Sequence, residues 1–304
     1  MTPPYPSAPS AGGTAHLTAV PRLTGCHRRL GEALFARIAG PDGPAVRERI
    51  HHAPGPRRFG PGRAIRVVHG DAAMFAGGLA ALLLQSLHPA AMAAVAGHSG
   101  YLGDPWGRLQ RTSTFLAVTT FGTDDDARAA IARVRAVHSR IRGTTPAGLA
   151  YRADDPHLLA WVHAAETDCF LRAHQRYGAA PLDAAGCEAY VADMAEIAAD
   201  LGVTDPPRTR TTLAELLRSY DPELAATADA ERAARFLLLR PPIPLLARPA
   251  HGALAVAALA LLEPRHRRLL GLPTAAAFDA AAGPLGTAVV RAVRWLLPPP
   301  GGTR

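Results

Sequence analysis

Residues 72–87 form an uncharged, apolar run, interrupted at Gln85 and closed by His88-Pro89. As a helix it is apolar on nearly every side, a pattern that requires burial on every side. Its 16 residues fall short of the roughly 20 that a membrane span needs. A second apolar stretch follows to Gly97, but Pro89 kinks or restarts the helix. The run therefore predicts the central helix of a packed helical core. Contact with a membrane surface through a hydrophobic opening is compatible with it, and no transmembrane helix is predicted.

The punctuation on either side repeats one pattern. Asp104-Pro105, Thr123-Asp124-Asp125-Asp126 and Asp155-Pro156 each place a capping side chain before Pro or a cluster of acids, as helix starts do. Gly122, Gly143, Gly178 and Gly202 follow as stops. Helices are expected over about 22–38, 105–119, 124–142, 156–177, 182–201, 211–220, 228–239, 252–263 and 274–297. Residues 65–68 are read as a single turn or an extended entry to the core. No alternating pattern lasts more than five residues, so no strand is predicted. The fold class is all-α: one large helical domain over 21–297, its helices packed in the general manner of globins. Residues 1–20 and 298–304 are read as disordered tails.

Composition agrees, because a core built from Ala, Leu and Val, with only 6% aromatic residues, favours helix. The formal charge of +8 would suit an acidic partner. The chain contains no Lys, however, and its arginines are spread along it without interleaved aromatics, so nucleic-acid binding is not expected. Cys26, Cys169 and Cys187 are too few and scattered for a disulfide framework. With no secretory pattern at the N-terminus, a cytoplasmic protein is expected, monomeric or dimeric.

The chemistry-bearing residues gather between 88 and 166. In the helix from Asp124, residues Ala127, Ile131, Val134, His138 and Ile141 follow the spacing of one face, so His138 sits in an apolar stripe. Two readings stay open: a core histidine satisfied by a carbonyl, or an axial ligand to haem iron. In the helix from Pro105, residues Arg108, Thr112, Phe115 and Thr119 share a face, with Arg111 one turn from Arg108. A guanidinium there needs an anion, either a core carboxylate such as Asp104 or Asp71, or a haem propionate. Thr112 can equally bond back to its own helix. No carboxylate occurs between Asp71 and Asp104, so an acid or base from that segment must be His88 or His98. Each is a candidate proton donor or second axial ligand, against a backbone-bonded ring at the His88-Pro89 step. His163 and Glu166 are three apart and can pair, either structurally or beside a cofactor. Zinc-protease, di-iron, Walker-type and nucleophile-elbow motifs are absent.

Leu87-His88-Pro89, His98-Ser99, Asp104-Pro105 with Gly107-Arg108-Leu109 and Arg111-Thr112, Phe121-Gly122-Thr123, Val134-Arg135 to His138, Gly143, and Asp155-Pro156 to Trp161-Val162-His163-Ala164 occur in this order. The series resembles the catalytic domain of the rubber oxygenases (latex-clearing proteins) and MpaB-type oxygenases, over about residues 60–300. The resemblance implies an all-helical fold around one haem b. His138 matches the proximal iron ligand, and Arg108 and Thr112 match the family's Arg-x-x-x-Thr pair near the haem. Arg111 and His163, beside these positions, are taken as further candidate cofactor-binding residues. Rubber oxygenases carry a capping Lys just before that Thr and a glutamate upstream of the Arg. Here Arg111 stands in the first position, and the second has no carboxylate. Both departures point away from rubber cleavage. The function expected is a haem-dependent oxygenase or oxidase using O2 or peroxide on a small apolar molecule. The alternatives are a peroxidase or dehydrogenating oxidase of specialised biosynthesis, and a non-catalytic haem carrier or sensor.

Overall fold

A computed structural model describes residues 25–100 and 102–297, so the tails expected at 1–20 and 298–304 lie outside the described residues. The chain runs through α1 (Gly25–Ala39), α2 (Gly43–His52), α3 (Ala64–His69), α4 (Met74–Gln85), α5 (Pro89–His98), α6 (Pro105–Phe121) and α7 (Asp124–His138). A hairpin of β1 (Arg142–Thr144) and β2 (Ala150–Arg152) follows. Then come α8 (Pro156–Tyr177), α9 (Ala184–Leu201), α10 (Arg210–Ser219), a 3-10 turn (Asp221–Glu223) and α11 (Ala228–Leu239). A second 3-10 turn (Leu245–Ala247) leads to α12 (Arg248–Leu259), α13 (Pro264–Leu269) and α14 (Ala276–Leu296). The fold is all-α.

The expected caps form. Asp104 accepts from the Gly107 amide, Thr123 from Asp126 and Asp155 from His157, each satisfying an amide that the first turn leaves free. Gly202 ends α9 at φ 107°, where a Cβ would be strained. Helix α2 and the hairpin are among the elements that escaped the pattern. Pro41 and Gly43 look like breakers, yet Pro44 in the first turn also starts α2. The hairpin pairs Gly143 with Tyr151, and its three-residue strands are too short to show alternation.

Helix α4 is the core. Ala76, Leu79, Ala80, Leu83 and Leu84 are buried, and α4 packs chiefly on α8 and α12. Gly77 lets α8 approach: a Cβ there would lie 2.9 Å from the Phe170 ring and 3.0 Å from the Ala173 methyl. Across His88-Pro89 the chain turns by 108° between α4 and α5, so the two apolar helices cannot act as one straight span. Among the described residues no single helix is long and apolar enough to cross a membrane.

Candidate functional site

Helices α6 and α7 are joined by a two-residue turn and pack on each other. Helix α6 also rests on α1, α2 and α3, and α7 on α9, but neither packs broadly against α4, α5 or α8. Phe115, Leu116 and Val162 are half-buried against the main core, and Val134 on α7 is half-buried as well. At 1.5 Å per residue, Arg108 and His138 each stand about 20 Å from the α6–α7 turn, so both lie at the open end of the pair.

His138 closes α7 and is half-buried. Burial lowers its pKa, against a smaller opposing pull from Asp154, so the ring is neutral near pH 7. No hydrogen bond joins that ring to another described residue. The carbonyl partner of the core-histidine reading is therefore not seen among the described residues. Arg108 is half-buried and not free of partners. Thr112 is exposed and donates to the Arg108 carbonyl at 3.1 Å, the back-bond within its own helix. Arg111 is exposed and reaches the Asp104 cap at 3.4 Å. Asp71, the other carboxylate considered for these arginines, pairs instead with Arg294 at 2.8 Å.

His88 is buried and committed elsewhere: its Nε2 meets Glu223 at 3.2 Å and its Nδ1 accepts from the Ala91 amide at 3.4 Å. His98 is exposed at the end of α5, its ring edge towards Tyr151 with centroids 6.5 Å apart. These two histidines are thus held by different neighbours at opposite ends of α5.

The inner end of the site is polar and was only partly foreseen. His69, from α3, meets Thr120 of α6 at 2.8 Å and Tyr190 of α9 at 3.3 Å, and its ring edge faces Phe170. Desolvation pushes its pKa down to about 3. His163 is buried with its Nε2 unpartnered, and desolvation lowers it to about 4. Glu166, one turn on, does not pair with it. Its carboxyl lies deep among the helices with part of its surface open, has no hydrogen bond or ion pair among the described residues, and is pushed up to about 7 by desolvation. It is close enough to raise the Tyr190 phenol and the Cys169 thiol. His69, Thr120 and Tyr190 come from helices far apart in sequence, so no local spacing pointed to them.

Two surface recesses flank this region. One of about 470 Å³ is lined by His51, Arg66, His69 and Phe121, and the other, of about 580 Å³, by Leu102, Phe236 and Arg235 among others. Neither includes His138, Arg108 or Thr112.

A family profile described as the catalytic domain of the ER-bound oxygenase mpaB/B′ and rubber oxygenase matches residues 66–295. The chain belongs to this MpaB/rubber oxygenase family. The match begins in α3 and ends in α14, and so takes in His69, His88, His98, Arg108, Thr112, His138, His163 and Glu166. Two uncharacterized proteins, from Mycobacterium bovis and Mycobacterium tuberculosis, are each 33% identical over 102 residues, which is 33% of this chain and 39% of theirs. The match thus spans about two fifths of those relatives. No solved structure was found to match.

For the haem that the resemblance implies, the donor chemistry fits. A haem iron takes a neutral imidazole beside an apolar wall, and His138 is a neutral ring with an uncommitted nitrogen beside Val134. The orphaned Nε2 of His163 is a second buried nitrogen of the same kind. The resemblance sets Arg111 against the capping Lys of the rubber oxygenases. Its guanidinium leans on Asp104, and it has no lone pair to offer a metal.

Proposed function

We propose that this protein is a haem b-dependent oxygenase acting on a small, largely apolar organic molecule with O2 or peroxide. The observation that carries this reading is the His138 ring: neutral, half-buried, without a hydrogen-bond partner among the described residues, and on the apolar face of α7. Haem, when bound, supplies a redox-active iron able to activate oxygen. His138 would hold the iron through its uncommitted ring nitrogen, and Arg108 would supply a positive charge for a haem propionate. Thr112 orients its neighbour through the shared turn of α6. The half-buried apolar side chains of Phe115, Leu116 and Val162 select an apolar substrate and limit water. Glu166, with its pKa raised to about 7, can hold or release a proton near neutrality, which suits the acid–base role for which the segment upstream of Arg108 has no carboxylate.

Ferric and ferrous absorption spectra of the purified protein test the reading. A Soret band that disappears in His138→Ala supports it. Absence of the band even after addition of haemin removes the haem assignment, and its persistence in His138→Ala moves the ligand to His163 or another histidine. Oxygen uptake or peroxide consumption with apolar candidates then separates an enzyme from a carrier.

A further inference from the structure

Away from His138 and Arg108, three metal-competent side chains converge from three separate segments. His88 caps α5, His157 lies in the first turn of α8, and Glu223 ends the 3-10 turn before α11. One donor atom from each lies within 4.8 Å of the other two. We propose that His88, His157 and Glu223 form a binding site for a divalent transition-metal ion of the zinc class.

The contacts around His157 leave a place for a positive charge between its ring and Glu223. The Tyr220 hydroxyl has one proton, and its shortest contact is the His157 carbonyl at 2.7 Å. Its oxygen is then left to accept from the His157 Nδ1–H at 3.2 Å. His157 Nε2 in turn faces both Glu223 oxygens, at 2.9 and 3.0 Å, a contact made favourable either by a proton on Nε2 or by a bound cation. A second nitrogen, His88 Nε2, reaches the same carboxylate at 3.2 Å.

Two imidazoles and one carboxylate with an open remaining position are the donor set of three-ligand zinc sites. Ligands about 2.0–2.1 Å from zinc stand about 3.3 Å apart in a tetrahedron, close to the separations found. Tyr220 supplies the outer-shell contact that holds a metal-binding histidine in the correct tautomer. His88 is buried against Trp161 and Tyr220, whereas His157 and Glu223 are exposed, so an ion and its water can enter from solvent. Binding through His88 Nε2 places the ring's proton on Nδ1, which then faces the Ala91 amide donor, so the ring has to turn away from that amide and give up the long 3.4 Å capping bond.

The test is calorimetric titration of the purified full-length protein, stripped with EDTA and dialysed, with zinc chloride. One ion per chain is expected. His157→Ala and Glu223→Gln, both at exposed positions, should each weaken binding by at least tenfold, and Tyr220→Phe by about tenfold. His138→Ala should bind zinc as the wild type does, which keeps this result independent of the haem assignment. As a second readout, zinc should raise the melting temperature of the wild type and not that of His157→Ala. No stoichiometric binding by the wild type, or unchanged binding in both His157→Ala and Glu223→Gln, overturns the proposal and leaves the trio as a hydrogen-bonded tie.

Discussion

Helix pairs α4–α8 and α6–α7 show two ways of using helical faces. Between α4 and α8 the contact is closed. Gly77 admits the Phe170 ring, Leu83 and Trp161 are fully buried, and the Trp161 indole and Gln85 amide exchange bonds with backbone carbonyls across the pair. The α6–α7 pair packs against itself and the outer helices, and Phe115, Leu116, Val134 and His138 on it stay half-buried. The first interface is sealed around large side chains. The second keeps a partnerless histidine ring on a half-buried face. A ligand site needs such a less tightly packed face, because a fully packed interior has no room for a ligand.

The sharpest test of the contrast is His138→Ala. It should remove the haem absorption band entirely while leaving the urea-unfolding midpoint of the haem-free protein almost unchanged. A variant that unfolds would make His138 a packing residue and break the comparison. On the closed side, Gly77→Val should destabilise by about 3 kcal/mol, because the new methyls meet Phe170 and Ala173. Leu83→Ala should cost about 2–5 kcal/mol. Chemical denaturation measures both, and losses under 1 kcal/mol would show that α4–α8 is loosely packed.

Glu166→Gln is the intermediate case. Burial raises the folded-state pKa to about 7 from the ordinary 4.5, so the carboxyl keeps its proton after the unfolded chain has lost one. Its contribution to stability is therefore lost as pH rises from about 4.5 to 7. Glu166→Gln should recover about 2 kcal/mol at pH 8, discounted for the open part of the side chain, and nothing at pH 4. A gain of equal size at both pH values would deny the shift. His69 and His163 act with the opposite sign. Both are held neutral with lowered pKa values, so stability should fall as pH drops from about 6.5 to 4, with His163 completing its change before His69. His163→Gln should flatten the upper part of that acid limb in a pH-dependent melt. The smallest effect belongs to Thr112→Ala. Its hydroxyl bonds only within its own helix, so stability should change by less than about 0.5 kcal/mol while the haem spectrum or turnover shifts.

Local chemistry explains why so much of the frame could be read directly. Asp104-Pro105, Thr123 and Asp155-Pro156 act within three residues of themselves, and the helices began where they stand. Pro44 was harder, because a proline ends one helix and opens another by the same geometry. The hairpin at 142–152 depends on pairing across a turn and left no periodic trace. At the site, the phase of α7 put His138 on an apolar face. Phase could not tell that the ring would lack a partner, that Thr112 would bond to its own helix, or that His163 and Glu166 would stand unpaired.

The sequence by itself determined the helical class, the burial of 72–87, the break at His88-Pro89 and the family motif around Arg108 and His138, because each depends on periodicity, capping or short spacing. Only the tertiary structure decided that α6–α7 packs on the outer helices, and that His69 meets Thr120 and Tyr190. It alone joined His88 to Glu223 across 135 residues of chain. Those contacts depend on how helices far apart in sequence are brought to pack, and no local pattern of residues carries that information.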